Sequence, residues 1–262
     1  MKLSIIIPVY NSEKVLNKLI KSIIKNIKIK KNLIEIILIN DFSIDQSWKE
    51  IVNLKKNYKF IKAINLNKNY GQHCAIFCGL KFSKGNFIIC MDDDMQHNPK
   101  YIDKIVSTLK NGNEVCYVKY FKQKHNFFKV FISKLNNIIS SYLMSKTIKI
   151  YTSSYKGFTK KIRDKIIKNK SDFVFLDYWM FKYTKKITFI NVNHNKRYYG
   201  QTNYSFKKLL SLWSNMIFLI QVKEYNLKLF IILFLRFLFK FILNKYINYN
   251  QTNKILIKNK LL

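Results

Sequence analysis

Short apolar runs and longer helical patterns alternate along the first 120 residues of the chain. Continuous apolar runs, each of the length of a buried strand, occupy residues 3–9, 33–39, 60–66, 87–91 and 115–118. Between them, apolar residues recur every three or four positions, as in amphipathic helices, over about residues 15–24, 48–54, 75–80 and 99–109. Strands that alternate with helices indicate βαβ units. We therefore predict an α/β fold in which helices cover both faces of a mainly parallel sheet.

The pattern changes after residue 127, where long apolar helical stretches follow. The most apolar stretch, residues 227–242, is shorter than a usual membrane span and contains Arg236 and Lys240. Such a helix would lie in the membrane interface with its cations toward anionic head groups, and residues 205–222 could be its companion. A buried core helix or a subunit contact would explain the same pattern. We therefore divide the chain into an α/β domain (1–204), juxtamembrane amphipathic and apolar helices (205–247) and a polar tail (248–262).

The chain is strongly cationic, with 48 Lys and Arg residues against 14 Asp and Glu residues and a formal net charge of +34. The cations are spread over predicted strands, helices and loops alike, which indicates a general compositional bias as much as a binding surface. The positive electrostatic field of such a chain favours the binding of anionic lipid head groups and nucleotides, and the non-specific binding of nucleic acid. Because no nucleic-acid motif is recognised, we expect an anionic membrane surface as a partner and no specific nucleic acid. The alternative is a non-enzymatic basic protein that binds nucleic acid or membrane.

The four cysteines form no CxxC pair and show no disulfide-framework spacing: Cys74, Cys78, Cys90 and Cys116. Free cysteines of this kind indicate a reducing compartment. The apolar N-terminal run is too short for a signal peptide and lacks a small-residue cleavage site. We therefore expect a cytoplasmic protein that is peripheral or monotopic at the inner face of the membrane.

Three adjacent carboxylates, Asp92, Asp93 and Asp94, follow the fourth apolar run. They would repel one another unless a cation neutralised them, and oxygen ligands suit Mg²⁺ or Mn²⁺. Ligands of open α/β sheets bind beyond the carboxyl ends of the strands, where polar residues after the first and second runs would also meet. The sequence therefore predicts a metal-assisted site for a phosphorylated substrate. The alternative is that the acids merely cap the helix that starts near Pro99.

Five motifs, in order over most of residues 3–210, resemble those of family 2 glycosyltransferases with a GT-A fold. Within that family they are most similar to the polyprenyl-phosphate glycosyltransferases of the dolichyl-phosphate mannosyltransferase type. The motifs are IPVYN (7–11), INDFSID (39–45), residues 67–71 with Ala75 and Gly79, DDDMQHNP (92–99) and RYYGQTNY (197–204). The resemblance implies a Rossmann-like GT-A catalytic domain over residues 1–204 and a nucleotide-sugar donor.

The resemblance also implies roles for individual residues. Asp92, Asp94 and Gln96 match the family's Asp-x-Asp-x-Gln pattern, which orients the diphosphate and holds the divalent metal. Asp93 occupies the variable middle position, and His97 is expected to be a loop or cap residue beside the metal. The donor would be bound by residues that follow or end the predicted strands: Pro8, Tyr10, Asn11, Asp41, Gly71 and Asp92.

Phosphate oxygens of the donor or of a lipid acceptor would be held by Arg197, Lys156 and Thr202. Arg197 matches the Arg of the family's Arg-x-x-Gly-x-Ser pattern, and a guanidinium fork suits phosphate better than a point charge. A solvated surface Arg is the alternative in so basic a chain. Lys156 stands near the place of a family Arg, and Thr202 replaces the Ser of the pattern.

The predicted donor loops also depart from the family pattern. Asn40 replaces a carboxylate, Phe42 replaces a glycine, and Ser12 replaces the acidic residue that usually follows Tyr-Asn. These changes leave the identity of the donor open.

The resemblance implies metal-dependent, inverting transfer to a membrane-associated acceptor of one of two classes. The phosphate of a polyprenyl phosphate, which we expect to be the acceptor, is already ionised and needs no general base. A hydroxyl of a lipid-linked glycan or lipopolysaccharide sugar would need one, and Asp177 is the candidate. A structural acid at a helix end is the alternative for Asp177. The candidate catalytic residues are therefore Asp92, Asp94, Arg197 and Asp177.

Overall fold

The computed structural model describes residues 2–120, 152–169, 175–192 and 257–261. Its strands are β1 (Leu3–Val9), β2 (Ile34–Asn40), β3 (Ile61–Leu66), β4 (Phe87–Cys90), β5 (Val115–Tyr120), β6 (Lys156–Thr159), β7 (Ile187–Val192) and β8 (Ile257–Leu261). Its helices are α1 (Glu13–Asn26), α2 (Ser47–Asn57), α3 (Gln72–Phe82), α4 (Ile102–Lys110), α5 (Lys160–Ile167) and α6 (Leu176–Tyr183). Short 3-10 turns, Lys31–Leu33 and Pro99–Tyr101, precede β2 and α4.

These strands form one mixed sheet in the order β7-β5-β6-β4-β1-β2-β3-β8. Its centre, β4-β1-β2-β3, is parallel, and β7 is parallel to β5. β6 lies antiparallel between β4 and β5, and β8 is antiparallel to β3. The predicted α/β class with a mainly parallel sheet is therefore confirmed.

The central strands are apolar along their whole length because both faces of the sheet are covered. Every residue of β1 and of β2 is buried. Alternate side chains of β1 point to opposite faces, so Ile5 and Ile7 share a core cluster with Leu16 of α1, whereas Ile6 shares the other with Leu80 of α3. Each such side chain contributes about 1.5–3 kcal/mol when fully buried. This two-sided core fixes the strand ends from which the functional loops leave.

Helix α3 lies very close to the sheet, and Gly79 is the reason. A Cβ at this position would lie 2.8 Å from side-chain atoms of both Ile39 and Ile6, a distance that real Cβ atoms do not tolerate. The glycine therefore lets α3 pack directly on β1 and β2. Its N-terminus, capped at Gly71, is thereby held beside the ends of these strands.

Two segments differ from their predicted assignments. The helix predicted from Pro99 begins as the 3-10 turn Pro99–Tyr101 and is α-helical only from Ile102. Residues 257–261, for which no strand was predicted, form β8 and extend the sheet beyond β3.

The predicted membrane-interface helices, residues 205–222 and 227–242, lie outside the described residues. Within the ranges that the structure describes, no helix is both long enough and apolar enough to cross a membrane.

Candidate active site

Four loops meet at the carboxyl edge of the parallel strands. They follow β1 (residues 10–12), β2 (41–46), β3 (67–71) and β4 (91–98). Hydrogen bonds join them directly: Asn11 N–H donates to Ser43 Oγ at 3.0 Å, and Tyr10 N–H donates to Asp93 Oδ2 at 3.0 Å. The polar clusters that the sequence places after the first, second and fourth strands therefore meet at one edge of the sheet, as predicted.

These loops also contain strained backbone. Across the described residues, the non-glycine residues with positive φ are Asn11 (55°), Phe42 (61°) and Met95 (65°), one in each of the loops after β1, β2 and β4. In the loop after β3, Gly71 has a φ of 86°. A non-glycine residue in this region costs about 1–3 kcal/mol and persists only where its surroundings impose it, which is common at binding sites.

Asp41 stands at the end of β2 and binds the loop after β3. One carboxylate oxygen accepts the N–H of Tyr70 and the other accepts the N–H of Gly71, both at 2.8 Å. Burial raises the pKa of Asp41, and these two hydrogen bonds oppose the rise. Asp41 therefore fixes the turn before α3, close to the predicted donor residues, while Pro8 lies within β1 beside Ile39 of β2.

Exposed apolar side chains gather at the same edge. Tyr10 is 42% exposed, Phe42 is 46% exposed and Ile44 is 83% exposed. Apart from Leu261 of β8, these are the large hydrophobic side chains classed as exposed in the described part of the chain. Aromatic rings at the mouth of a crevice offer a flat apolar surface to a planar ligand.

Asp92 is held by neutral hydrogen-bond donors from distant parts of the chain. Its Oδ1 accepts Gln72 Nε2 from the first turn of α3 at 2.5 Å, and its Oδ2 accepts Ser154 Oγ at 2.8 Å. Neither donor carries a charge, so the two contacts orient the carboxylate without neutralising it. Neither Gln72 nor Ser154 was predicted, because only the fold brings them to Asp92.

His97 braces the same loop. Its Nδ1 accepts the backbone N–H of Asp92 at 2.9 Å, which assigns the proton of the neutral ring to Nε2. Nε2 lies 3.6 Å from Asp92 Oδ2, and the ring stacks on Tyr155 with centroids 4.8 Å apart. His97 is thus a buried loop residue beside the carboxylates, in line with the expectation from its motif.

Asp93 faces the loop after β1. Its Oδ2 accepts Ser12 Oγ at 2.5 Å as well as Tyr10 N–H. Burial raises the pKa of Asp93 to about 7; the carboxylates of Asp92 and Asp94 add to the rise, and the two hydrogen bonds oppose it. This residue was not among the predicted site residues.

The acidic triplet does not cap the following helix. Asn98 does so, because its side chain accepts Lys100 N–H at 3.1 Å. Asp94 instead accepts the N–H of Gln96 at 3.1 Å across the left-handed Met95. The alternative that the acids only cap this helix is therefore wrong.

A buried ion pair lies in the same region of the fold. The ammonium of Lys156, at the start of β6, binds Asp177 Oδ1, and Tyr117 Oη donates to the same oxygen at 2.8 Å. Burial alone would raise the pKa of Asp177, but the charge of Lys156 and these hydrogen bonds hold it below its usual value. Burial also lowers the pKa of the neighbouring His73 to about 4. The structure thus joins the predicted phosphate ligand to the predicted base.

The remaining predicted residues are the proposed metal ligands and two of the proposed phosphate ligands. Asp92, Asp94 and Gln96 lie in one loop, but no three His, Cys, Asp or Glu side chains within the described ranges form a complete metal-ligand set. Arg197 and Thr202 lie outside the described residues. All four cysteines are buried and free, and burial raises their pKa values, so they act as small apolar side chains.

The sequence is similar to those of known proteins. The family model for glycosyl transferase family 2 matches residues 4–169. An undecaprenyl-phosphate 4-deoxy-4-formamido-L-arabinose transferase of Proteus mirabilis is 31% identical over 219 residues, which cover 82% of this chain and 67% of that protein. The enzyme of the same name from Salmonella choleraesuis is 29% identical over 217 residues, which cover 82% of this chain and 66% of that protein.

Solved structures support the fold at low sequence identity. Glucosyl-3-phosphoglycerate synthase from Mycobacterium tuberculosis, in complex with Mn²⁺ and UDP-glucose, superposes with a TM-score of 0.62 at 13% identity and covers 85% of this chain and 80% of its own. Staphylococcus aureus TarS 1–349 in complex with UDP-GlcNAc gives a TM-score of 0.53 at 19% identity, and the match covers 92% of this chain and 73% of the TarS chain. At this level of identity the likeness concerns the fold alone.

Proposed function

Because the chain belongs to glycosyl transferase family 2, we propose that it transfers a sugar from a nucleotide-sugar donor to the phosphate of a polyprenyl phosphate. Membership of that family makes the protein an enzyme, which removes the non-enzymatic alternative. The relatives from Proteus mirabilis and Salmonella choleraesuis carry undecaprenyl phosphate in their names, and this supports a lipid-phosphate acceptor.

The donor would lie across the four converging loops. Exposed Tyr10 and Phe42 offer apolar surface for the base, and the turn fixed by Asp41 carries the N-terminus of α3. Helix N-termini favour anions. The diphosphate would then extend toward Asp92 and Asp94.

The acidic loop fits a divalent cation. Asp92 is oriented by the neutral Gln72 amide and Ser154 hydroxyl, which leave its charge available. Two carboxylates with diphosphate oxygens and water make a common Mg²⁺ environment, so a third protein carboxylate is not required. We assign Asp92, Asp94 and Gln96 to Mg²⁺ or Mn²⁺, which when bound supplies charge neutralisation to the departing diphosphate.

The observation that carries the choice of acceptor is the ion pair between Lys156 and Asp177. A general base needs a pKa near the working pH, whereas the pKa of Asp177 lies below its usual value and its oxygen already binds Lys156 and Tyr117. An acceptor that must lose a proton would find a poor base here. A phosphate acceptor needs none, and this favours polyprenyl phosphate over a sugar hydroxyl.

The reaction would be a single displacement with inversion. A lipid-phosphate oxygen bonds to the anomeric carbon while the bond from that carbon to the diphosphate breaks, and the nucleoside diphosphate leaves with the electron pair. Arg197 and Thr202 are the proposed ligands of the acceptor phosphate. Lys156 would stabilise the negative charge of that phosphate, either electrostatically from its place beside Asp177 or by direct contact after it leaves Asp177. With a net charge of +34, the chain would work at an anionic membrane surface, on its cytoplasmic face.

The test is a transfer assay with UDP-, GDP- and dTDP-sugars, Mn²⁺ or Mg²⁺, and undecaprenyl phosphate present or absent. The proposal expects release of one nucleoside diphosphate that requires both the metal and the lipid. Donor turnover on a lipid-linked sugar hydroxyl, with none on undecaprenyl phosphate, would instead favour the hydroxyl acceptor and Asp177 as the base. Absence of turnover with every donor and both acceptors would contradict the proposal.

A further inference from the structure

The middle carboxylate of the acidic triplet joins two loops that carry different parts of the proposed donor site. Asp93 Oδ2 accepts Ser12 Oγ at 2.5 Å and Tyr10 N–H at 3.0 Å. Both donors belong to the loop after β1, whereas Asp93 lies between the two proposed metal ligands. One oxygen atom therefore connects the loop that carries the exposed Tyr10 ring to the loop proposed to hold the metal.

We propose that Asp93 is a positioning residue: it fixes residues 10–12 against the acidic loop and so sets the affinity for the nucleoside part of the donor. This inference rests on the proposed transferase function. Asp93 would act through Tyr10 and Ser12 rather than by touching the metal or the reacting atoms.

The loop after β1 is held from two sides, and Asp93 supplies one of them. On the other side, the loop after β2 and the start of α2 bind it: Asn11 N–H donates to Ser43 Oγ at 3.0 Å, Ile44 N–H donates to Asn11 Oδ1 at 3.0 Å, and Ser12 N–H donates to Ser47 Oγ at 2.8 Å. Asn11 lies between these anchors with a φ of 55°. The contacts of Asp93 fix residues 10–12 on the side opposite these anchors, so their loss would let this loop relax and displace the Tyr10 ring.

The contacts of Asp93 require a hydrogen-bond acceptor and not a charge. An amide oxygen in its place could accept the same two donors, because each donor offers a single hydrogen to one oxygen. A metal ligand differs in this respect, since an amide is a much weaker partner for Mg²⁺ or Mn²⁺ than a carboxylate. Asp93→Asn therefore separates a positioning role from a metal-binding role.

The experiment measures binding of UDP, GDP and dTDP to the full chain in saturating Mn²⁺ and continues with the nucleotide that binds most tightly. We expect Asp93→Ala to weaken its binding about tenfold and Ser12→Ala about threefold, since hydrogen bonds to a carboxylate are lost. Asp93→Asn should stay within about twofold of the wild type because it keeps the acceptor. The double variant S12A/D93A should be no weaker than D93A alone, because both changes break one connection.

A kinetic readout and a matched control separate positioning from general stability. D93A should raise the donor KM more than it lowers kcat and leave the Mn²⁺ requirement at saturating donor unchanged, whereas Asp94→Asn should raise that requirement. Asp103 is the control: it also accepts a backbone N–H from a distant segment, that of Lys28 at 3.1 Å, but it lies in the first turn of α4 and the contact is exposed. Asp103→Ala should leave nucleotide affinity unchanged.

Two results would overturn the inference. Nucleotide binding by D93A at the wild-type level would show that the connection has no influence on the site. A loss in D93N as large as that in D94N would make Asp93 a metal ligand. Failure of the wild-type protein to bind any of the three nucleotides would instead contradict the proposed function, so the two failures are distinguishable.

Discussion

Carboxylates at the two edges of the sheet are held by different kinds of partner. At the amino edge, Glu35 of β2 is buried and bound by lysines: Lys62 Nζ lies 2.8 Å and Lys2 Nζ 3.6 Å from its Oε2. At the carboxyl edge, the proposed metal ligand Asp92 is oriented by the neutral Gln72 amide and Ser154 hydroxyl.

The difference is informative because the chain has lysines in excess. A carboxylate that only holds the fold together can be neutralised permanently, as Glu35 is. One that must attract a cation from solution has to be oriented without being neutralised. Asp177 resembles Glu35 in this respect, since the ammonium of Lys156 binds it, and this is a physical reason to regard Asp177 as a structural counter-ion.

The largest expected effect is on stability, from removal of the cation in the buried pair. Lys156→Ala leaves the Asp177 carboxylate buried without its counter-ion, which should lower the free energy of unfolding by about 3–5 kcal/mol. Denaturant unfolding measures this. Lys161→Ala is the matched control: it removes an ion pair with Glu114 in which the lysine side chain is 63% exposed, and exposed pairs contribute about 1 kcal/mol at most.

Equal losses in these two lysine variants would contradict the assignment of Asp177 as a structural partner. If K156A does not fold, the double variant K156M/D177L, which removes both charges, should recover part of the stability.

Removal of one charge from the acidic loop should affect turnover instead. Asp94→Asn is expected to lower kcat by about 100-fold or more, because several kcal/mol of charge stabilisation at the leaving group are lost with the metal. Its melting temperature should stay near that of the wild type. The same acid-to-amide change at the other edge, Glu35→Gln, should leave kcat unchanged, and near-normal turnover in D94N would refute the metal assignment.

Glu35→Gln should instead change the pH dependence of stability. Burial raises the pKa of Glu35, but its bonds to Lys62, Ser4 and Lys84 N–H outweigh this and hold the pKa below its ordinary value of 4.5. The ionised form therefore stabilises the fold above about pH 4.5, and this contribution is lost as the pH falls through the lower folded pKa.

The variant should lose about 1–3 kcal/mol at pH 7, with a shallower fall in stability between about pH 5 and pH 3 than the wild type. Urea titrations across this range measure both quantities. Parallel curves for the two proteins would show that Glu35 does not contribute in this way.

The smallest expected effect concerns Phe42, where strain and function oppose each other. Phe42→Gly removes a left-handed aromatic residue, which should leave the free energy of unfolding unchanged or raise it by about 1 kcal/mol. The same change removes an exposed ring from the proposed base site and should raise the donor KM about threefold. Phe42→Tyr keeps the ring and should match the wild type, and an unchanged KM in F42G would exclude a role for the ring.

Much of the fold follows from local pattern. Residues 3–9 were predicted as a strand and form β1, because a continuous apolar run covered on both faces has few alternatives. β8 could not be predicted, since Ile257–Leu261 is short and polar and is defined only by its pairing with β3. The α-helical start of α4 at Ile102 was also missed, because Pro99 opens a 3-10 turn first.

The site residues likewise include some that a local motif predicts and others that only the fold brings together. Residues within a motif, such as Asp92 and Asp94, can be found from their spacing and from the chemistry of clustered carboxylates. Gln72 and Ser154 lie 20 and 62 residues from Asp92 in sequence, and no local pattern relates them to it. The pairing of Lys156 with Asp177 likewise depends on the placement of β6 between β4 and β5 beside α6.

The central claim is that the acceptor is already ionised and that no protein base is needed. It is tested most directly by offering the wild-type enzyme undecaprenyl phosphate and undecaprenol side by side, with the selected nucleotide sugar and Mn²⁺, and measuring the glycosylated lipid formed. We expect transfer to the phosphate and none above background to the alcohol. Transfer to undecaprenol at a comparable rate would mean that a base operates in the site, and would contradict the role of Asp177 as a structural counter-ion.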